Sequence, residues 1–300
     1  MNNTEHDNKI EDLIDQNAFQ KRRLSWVAQD DNFFYKIPRI SRSLKADIEN
    51  EKIKQEASSE YEQLKILNRG APYLVKEPVD LSLKYSCIIN KKISGPDLRE
   101  ELLRSKDNSY IEKELKKVIE KIAKLHQDNF KDELPVRDYS RIQNLEKDIL
   151  SKVDKRPRVV NARGFSVRNL RYDKNGDVFF FDPTGLSLGA PEEGLANIVF
   201  SLLLLKWGRN HQCFVFNNFA LEELLGYYES RSGIEVDTDV FFAMLDLRMH
   251  SQERSVRKKM KRLIPISIIL LVYTKIFFYQ INKWKKQNYE KLRKRNQRAL

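Results

Sequence analysis

The 300-residue sequence predicts an α+β fold, with a small strand-rich first part and a mainly helical second part. In the first part, short runs rich in β-branched and aromatic residues stand on either side of one long helical pattern. Residues 94–97 then interrupt the chain with glycine and proline. Beyond them, apolar residues recur at helical spacing over residues 110–126. Residues 195–205 are almost wholly apolar but too few to span a bilayer, which predicts a buried core helix.

The elements of the first part follow one another as strand, strand, long helix and two further strands. The four strand-like runs are residues 24–28, 33–37, 81–84 and 85–89. A polar turn separates the first two runs, and Pro38 ends the second. Apolar residues at helical spacing then predict a charged helix from Ala46 to Leu67, which Gly70 stops.

Asn169 and Asp182 each end a short strand-like run, and the segment 173–177 lies between the two runs. This segment contains an Asn-Gly pair, which between strands is a strong hairpin signal. Because a hairpin brings the outer ends of its strands together, an amide oxygen is expected beside a carboxylate. Hard divalent cations such as Mg²⁺ take these oxygen ligands and hold nucleotide phosphates through them. The sequence therefore predicts a metal site at Asn169 and Asp182.

This pattern resembles the catalytic loop and metal-binding segment of kinase-like phosphotransferases, in which an asparagine and an aspartate with this separation bind the metal. The similarity is greatest to the small-molecule branch, which includes aminoglycoside phosphotransferases, choline kinases and lipopolysaccharide-core sugar kinases. The resemblance covers residues 20–210. It implies a bilobal protein-kinase-like fold with a small strand-rich N-lobe and a mainly helical C-lobe, and it implies ATP and Mg²⁺ as cofactors.

The same resemblance assigns three residues to nucleotide binding. The run 34–37 looks like the strand that carries the phosphate-contacting lysine, here Lys36, and the helix around residue 60 supplies Glu60 to hold that lysine in place. Residues 88–99, which begin at the end of the fourth run, resemble the hinge, where backbone groups meet adenine, and Ile89 is assigned to that contact. Taken singly, Lys36 could be a strand-edge lysine and Glu60 a solvated helix residue. Their order along the chain with Asn169 and Asp182 favours the nucleotide site.

Three departures from the family pattern concern glycine. The position of the usual catalytic aspartate is Gly164, and the aspartate that braces the catalytic loop from the next helix is replaced by Gly194. No glycine precedes Gly70, so the first hairpin is not the glycine-rich loop of protein kinases. A general base contributes about 10²–10⁴-fold, but positioning and charge neutralisation carry much of phosphoryl transfer. An inactive, nucleotide-binding pseudoenzyme and an enzyme of altered chemistry therefore both remain open.

Arg163 and Arg168 are the candidate catalytic side chains beside Gly164. A guanidinium could neutralise the transferred phosphate or an acidic acceptor sugar. The alternative is that both arginines pair with nearby Asp or Glu side chains. His126, at the end of the helix that precedes this loop, is expected to be structural rather than catalytic.

The positive charge of the chain is concentrated at its C-terminal end. Residues 251–300 have a net charge of +13 and the whole chain +12, so the remainder is nearly neutral. Charge confined to one end does not suit nucleic-acid binding, which is not expected. The basic clusters flank a nearly apolar run from Leu263 to Tyr279. It could be a helix of the C-lobe core, a helix in the membrane interface helped by anionic lipid, or a membrane span or tail anchor.

Lys275, Pro265 and the basic residues on both sides of this run argue against a span. We therefore expect residues 254–298 to dock peripherally on an anionic membrane surface. The predicted organisation of the chain is a flexible lead-in, an N-lobe, a C-lobe and an apolar helix with a basic tail, at residues 1–17, 18–92, 93–262 and 263–300. The two cysteines have neither metal-ligand spacing nor a disulfide pattern, which favours a reducing compartment.

Together these observations predict an ATP-dependent phosphotransferase that acts on a sugar or lipid-linked saccharide, similar to a lipopolysaccharide kinase. It would work at the cytoplasmic face of a bacterial membrane, because a basic tail suits an amphipathic acceptor. The alternative is a catalytically dead, nucleotide-binding pseudokinase that serves as a membrane-associated scaffold or regulator.

Overall fold

The structure, a computed structural model, describes residues 3–22, 24–105, 107–128, 134–142, 145–205, 220–260 and 267–299. In chain order its helices and strands are α1 (Asn3–Asp15), β1 (Gln20–Lys21), β2 (Ser25–Gln29), β3 (Phe33–Pro38), α2 (Leu44–Ile48), α3 (Glu51–Gly70), β4 (Pro78–Ser82), β5 (Cys87–Lys91), α4 (Leu98–Arg104), α5 (Asn108–Gln127), α6 (Lys147–Asp154), β6 (Val159–Ala162), β7 (Leu170–Tyr172), β8 (Val178–Phe180), β9 (Leu186–Gly189), α7 (Pro191–Leu203), α8 (Leu221–Ser232), α9 (Thr238–Met260) and α10 (Ser267–Ala299). They form two compact units, Met1–Pro96 with Arg171–Gly185, and Asp97–Leu170 with Leu186–Leu300.

The first unit is built on a five-stranded antiparallel sheet in the order β1-β2-β3-β5-β4. Strand β3 is its central strand, and Lys36 on β3 lies opposite Val27 of β2 and Ile88 of β5. Apolar side chains from the strands and from α1 form one buried cluster, which includes Ile10, Trp26, Tyr35, Ile37 and Ile89. Residue 36 is therefore held at the middle of the sheet, where its backbone is fixed on both sides.

Helix α1 packs on this sheet, whereas the polar composition of residues 1–17 predicts a flexible lead-in, and this part of the prediction is corrected. Ile10 and Leu13, one turn apart, are buried in the apolar cluster of the sheet. Glu11 accepts a hydrogen bond from the Tyr85 hydroxyl at 2.9 Å. Two well-placed apolar residues are enough to anchor a polar helix, because helices in proteins owe most of their stability to tertiary packing.

The charged helix predicted from Ala46 to Leu67 is divided into α2 and α3 at Asn50. The Asn50 side chain accepts a hydrogen bond from the backbone N–H of Lys52 at 2.9 Å, and this N-cap begins α3. The buried residues of α3 are Ile53, Ala57, Leu64 and Leu67, as the apolar spacing predicts. This face packs against β3, β4 and β5, which brings α3 over the central strands of the sheet.

The second unit is mainly helical, with α5 packed on α8 and α7 packed on α9. Strands β6 and β9 form a two-stranded antiparallel sheet beside these helices. Every residue of α7 is buried, which confirms the core helix predicted from residues 195–205. His126 on α5 is also buried, and its Nδ1 lies 2.7 Å from the Tyr228 hydroxyl of α8, as expected of a structural histidine.

Helix α10 packs on α8 and α9. Its buried side chains are Phe277, Ile281, Trp284 and Leu292. Lys285 is paired with Asp246 at 2.6 Å, and Arg295 is paired with Glu229 at 2.9 Å. Of the three interpretations of the tail, a helix of the C-lobe core fits residues 275–295, while residues 263–266 of the apolar run lie outside the described ranges. None of the helices in the described part of the chain is both long enough and apolar enough to cross a bilayer.

The β2–β3 turn is fixed by a side chain rather than by glycine. The Asp30 carboxylate accepts hydrogen bonds from the backbone N–H groups of Asn32 and Phe33 at 2.8 and 2.7 Å, and from the Tyr35 hydroxyl at 2.8 Å. Burial opposes ionisation of Asp30, but these three hydrogen bonds outweigh it and lower the pKa of the carboxyl. The first hairpin is therefore a rigid turn that depends on one ionised aspartate.

Replacing Asp30 with alanine is expected to lower the free energy of unfolding by about 1–3 kcal/mol at neutral pH, because three donors lose their acceptor. Since the folded-state pKa is lowered, this stabilisation is present above the ordinary aspartate value of about 3.9. It is lost as the pH falls through the lower folded-state pKa. Urea unfolding over a pH series measures both effects. Asp31→Ala, at the exposed neighbouring position, is the control, and equal losses in the two variants would contradict the assignment.

Candidate functional site

The ammonium group of Lys36 is held between two carboxylates of the first unit. Lys36 Nζ donates to Glu60 Oε1 at 2.5 Å and to Asp182 Oδ1 at 2.6 Å. The lysine comes from the central strand β3, the glutamate from α3 and the aspartate from the segment after β8. The side chains of Lys36 and Glu60 are 9% and 11% exposed, and that of Asp182 is 37% exposed. Three of the predicted site residues are therefore in direct contact.

The charge of Lys36 is stabilised by its two partners. Burial by itself lowers the pKa of the ammonium, but the carboxylates of Glu60 and Asp182 outweigh it and raise the pKa. Burial raises the pKa of Glu60; the positive charge of Lys36 opposes this rise, and the negative charge of Asp182 adds to it. With all three groups ionised, the cluster has one surplus negative charge, and Asp182 is its most exposed carboxylate. Its chemistry suits a cation together with phosphate oxygens.

The hairpin predicted before Asp182 is confirmed. Strands β7 and β8 pair, and Gly176 in their turn has a φ of 79°, a conformation that favours glycine. Asp173 accepts hydrogen bonds from two backbone N–H groups of the turn, and Lys76 is paired with it at 2.9 Å. The backbone N–H of Phe180 donates to the carbonyl oxygen of Leu74 at 2.9 Å. These bonds attach the hairpin to the rest of the first unit, so the position of Asp182 is well determined.

Asn169 belongs to the second unit, at the end of a 3-10 turn that spans Val167–Asn169. Ser166 begins this turn and accepts a hydrogen bond from the Arg168 backbone N–H at 3.3 Å. The Asn169 side chain donates to the carbonyl oxygen of Gly164 at 2.9 Å, which fixes the orientation of the amide. Asn169 thereby closes the loop on Gly164. That Asn169 and Asp182 share a metal stays a prediction.

The two candidate arginines have different surroundings. Arg163 is exposed. The Arg168 guanidinium donates to the carbonyl oxygen of Leu204 at 3.2 Å, at the C-terminal end of α7. Carbonyl groups at a helix C-terminus favour cations, so Arg168 stabilises this helix end. Neither of the two roles expected for Arg168 includes this contact. Direct action on a phosphate stays a prediction for both arginines.

The space beside Gly194 is filled by Asn161 of β6. An ideal Cβ on Gly194 would lie 2.4 Å from Asn161 Oδ1 and 3.6 Å from His126 Nε2. Asn161 is 2% exposed, and its side-chain nitrogen donates to the Ala190 carbonyl oxygen at 3.0 Å. Any larger residue at position 194 would therefore have to displace a buried, hydrogen-bonded amide. The sequence reasoning missed Asn161, whose only local signal is one polar residue within an otherwise apolar strand.

Ile89 lies inside the sheet rather than at its edge. Its neighbours across the strands are Tyr35 of β3 and Asp80 of β4, and its side chain is fully buried. Strand β5 leaves the sheet only after Lys91. The assignment of Ile89 as the adenine contact stays a prediction, and in the sheet the backbone groups of this inner strand face the neighbouring strands.

The order of elements, with an antiparallel first unit and a helical second unit, defines the bilobal α+β fold of kinase-like proteins. Three solved structures resemble the chain closely enough to establish this. Choline kinase LicA from Streptococcus pneumoniae has 14% sequence identity and a TM-score of 0.52, over 94% of this chain and 99% of that chain. Amicoumacin kinase hAmiN, in complex with AMP-PNP, Ca²⁺ and Ami, has 11% identity and a TM-score of 0.53, over 89% and 92%. APH(2")-IIa in its gentamicin complex has 14% identity and a TM-score of 0.51, over 89% and 95%.

No family model matches the chain, and no curated protein matches it. Identities of 14% and below show a shared fold and leave the activity to be argued from the site. The predicted bilobal, kinase-like α+β fold is confirmed.

A double-mutant cycle tests whether Lys36 and Glu60 form a desolvated pair. Lys36→Met is expected to lower the free energy of unfolding by about 3 kcal/mol, because it leaves a buried carboxylate without its partner. Lys36→Met combined with Glu60→Gln should cost less than the sum of the single variants by at least about 1 kcal/mol. Urea unfolding at neutral pH measures each value. The stabilisation by Lys36 is present below its ordinary pKa and is lost only as the pH rises through the raised folded-state value.

The exposed pair Lys54–Glu51, at 2.7 Å on the same helix, is the matched control for this cycle. Its coupling should be only about 0.3–0.5 kcal/mol, as for other exposed pairs on helices. Equal coupling energies for the two pairs would contradict the description of Lys36 as a buried, fixed charge.

Proposed function

We propose that the protein is an ATP-dependent phosphotransferase that acts on a sugar or lipid-linked saccharide, in the manner of a lipopolysaccharide kinase. The observation that carries the proposal is the fixed ammonium of Lys36, 2.5 Å from Glu60 and 2.6 Å from Asp182, on the central strand of a kinase-like fold. A β-sheet does not need a buried lysine between two carboxylates in order to be stable. Its position suits the phosphates of a nucleotide.

The residues of this cluster fit Mg²⁺ and ATP. Mg²⁺ is commonly held by one or two carboxylates, with substrate phosphates and water as its other ligands. Asp182 offers one partly exposed carboxylate, and Asn169 offers an amide oxygen as the proposed second ligand. No group of three or more His, Cys, Asp or Glu side chains suited to a metal occurs among the described residues, so phosphate and water would complete the shell. When bound, Mg²⁺-ATP supplies the phosphoryl group to be transferred.

Within this proposal, the side chains have further tasks besides the metal contacts of Asp182 and Asn169. Glu60 keeps Lys36 extended toward the phosphates, and Lys36 neutralises part of their charge. Asn169 holds the carbonyl of Gly164 and so keeps the loop in place. The acceptor hydroxyl has no carboxylate base at position 164. A base adds about 10²–10⁴-fold, so a slow enzyme is expected.

A pseudokinase is the second candidate function, and two observations favour it. Gly164 stands where the family has its catalytic aspartate. At Gly194, the space for the second aspartate is taken by the buried amide of Asn161. In this alternative the Lys36 cluster binds nucleotide for stability or signalling, without transfer.

A thermal-shift titration with ATP tests nucleotide binding. The melting temperature should rise with ATP concentration in the presence of Mg²⁺, and it should rise less without the metal. Lys36→Met and Asp182→Asn should each weaken the apparent affinity at least about tenfold, because they remove a phosphate contact and a metal ligand. Lys54→Met, on the exposed face of α3, is the matched control and should leave the affinity unchanged.

A phosphotransfer assay on the same samples separates the two candidate functions. Slow transfer to a saccharide supports the enzyme, and binding without turnover supports the pseudokinase. The absence of any shift at millimolar Mg²⁺-ATP would reject both.

The second part of the proposal is peripheral docking at the cytoplasmic face of a membrane. Exposed basic side chains of α10 lie on the side away from its buried residues, and include Lys283, Lys286, Arg293 and Lys294. Each lysine or arginine near an anionic surface contributes about 1 kcal/mol. Such a stripe suits an anionic lipid surface and would bring the protein to a lipid-linked acceptor.

Sedimentation with vesicles tests this docking. The protein should bind vesicles that contain anionic lipid and should be released by salt, while neutral vesicles should not retain it. Replacing Lys283, Lys286 and Lys294 together with alanine should reduce binding at least about tenfold by the same charge arithmetic. A triple variant at the exposed residues Lys45, Lys52 and Lys113 is the matched control. Equal retention of the two triple variants would contradict docking through α10.

A further inference from the structure

A cavity of about 320 Å³ lies in the second unit, and four of its nine lining residues are arginines. Its lining residues are Arg137, Arg141, Ile142, Glu193, Met244, Leu247, Arg248, Ser251 and Arg254. One face of α9 supplies Met244, Arg248 and Ser251, which recur at helical spacing. Glu193, in the first turn of α7, is the one acidic side chain among the described lining residues. The cavity therefore has an excess of positive charge.

Glu193 holds two of these arginines side by side. Its Oε1 atom lies 3.5 Å from a guanidinium nitrogen of Arg137 and 3.5 Å from one of Arg248, while its Oε2 atom accepts a hydrogen bond from the Tyr139 hydroxyl at 2.7 Å. Distances of 3.5 Å are at the long limit of hydrogen bonding, so these contacts are weak. Each guanidinium has five N–H donors, and one shared carboxylate oxygen leaves most of them for a ligand.

The remaining arginines increase the surplus charge. Arg141 is paired with Asp138 at 2.8 Å and its side chain is 86% exposed. Arg254 is exposed on the same helix as Arg248. Burial lowers the pKa of the Arg248 guanidinium; Glu193 opposes this effect, and the positive charges of Arg137 and Arg163 add to it. Arg163 therefore lies within electrostatic range of the cavity. Compensating one buried glutamate does not require four arginines.

The chemistry of this cavity suits a phosphate group on a small polar ring. Arginine binds phosphate oxygens in a bidentate manner, and two adjacent guanidiniums match a dianion. The volume is at the lower end of the range for small-molecule sites. Ile142, Met244 and Leu247 provide an apolar wall on which the face of a sugar ring could pack.

We infer that this arginine cavity binds a phosphorylated sugar, so that the acceptor of the proposed reaction is itself an anionic, phosphate-bearing saccharide. The assignment of this ligand as the acceptor rests on the proposed phosphotransferase function. The proposal of an anion-binding site depends only on the cavity. Arg163, which precedes Gly164 in the chain and whose charge acts on Arg248, is then the side chain that would link the anion site to the loop.

Isothermal titration of the full-length protein without nucleotide tests the site. The probes are glucose 6-phosphate, inorganic phosphate, glucose and glucuronate. Glucose 6-phosphate should bind at least about tenfold more tightly than glucose or glucuronate, inorganic phosphate should compete with it, and salt should weaken it. Arg248→Gln and Arg254→Gln should each reduce its affinity at least about fivefold, and Arg104→Gln on α4 is the matched exposed control.

The Arg254→Gln variant is not expected to disturb folding, because Arg254 is exposed and its replacement leaves the ion pairs of Glu193 with Arg137 and Arg248 intact. Binding of glucuronate but not of the phosphate would overturn the phosphate assignment. Failure of all probes to bind, or equal binding by the Arg254→Gln and Arg104→Gln variants, would overturn the site.

The two proposals fail in different ways. Sugar-phosphate binding without any response to Mg²⁺-ATP would keep the anion site and reject the phosphotransferase. A response to Mg²⁺-ATP without sugar-phosphate binding would keep the nucleotide site and reject this acceptor.

Discussion

The pairing of Lys36 with two carboxylates is the interaction on which the first unit depends. An ammonium group that is 9% exposed is tolerated only when opposite charges compensate it closely. That requirement fixes where α3 crosses the sheet, since Glu60 has to reach the middle of β3. It also requires the β7–β8 hairpin to attach to the same unit, since Asp182 follows directly from β8. The architecture around the site is therefore organised by one desolvated charge.

The second unit has a surplus of positive charge, in contrast to the Lys36 cluster with its one surplus negative charge. Four arginines are among the residues that line its cavity. Under the proposed function, the Lys36 cluster with its one surplus negative charge would suit a cation-nucleotide complex, and the arginine cavity of the second unit would suit an anionic acceptor. The buried Asn161 beside Gly194 leaves no space there for a larger side chain.

Elements that depend mainly on neighbouring residues were predictable from the sequence. The Asn-Gly pair predicts the β7–β8 hairpin, and the apolar run predicts α7. Both elements are present in the structure. Lys36 and Glu60 were predictable only through a resemblance, because neither residue type in its local context indicates contact. Helix α1, the cap at Asn50 and the arginine cavity depend on packing between distant segments. The cavity arginines occur singly in a charge-rich sequence, so nothing in their neighbourhood marks them as partners.

The aspartate-locked turn between β2 and β3 has a consequence for ligand exchange. A glycine-rich flap can fold over a bound molecule and shield it from water, whereas a turn tied down by three hydrogen bonds to Asp30 stays where it is. A ligand bound beside Lys36 would then be held by electrostatic attraction rather than by a loop that covers it. Attraction of this kind decays over a Debye length of about 8 Å at physiological ionic strength. A ligand beside Lys36 would consequently have a short residence time, and that time would depend on the ionic strength.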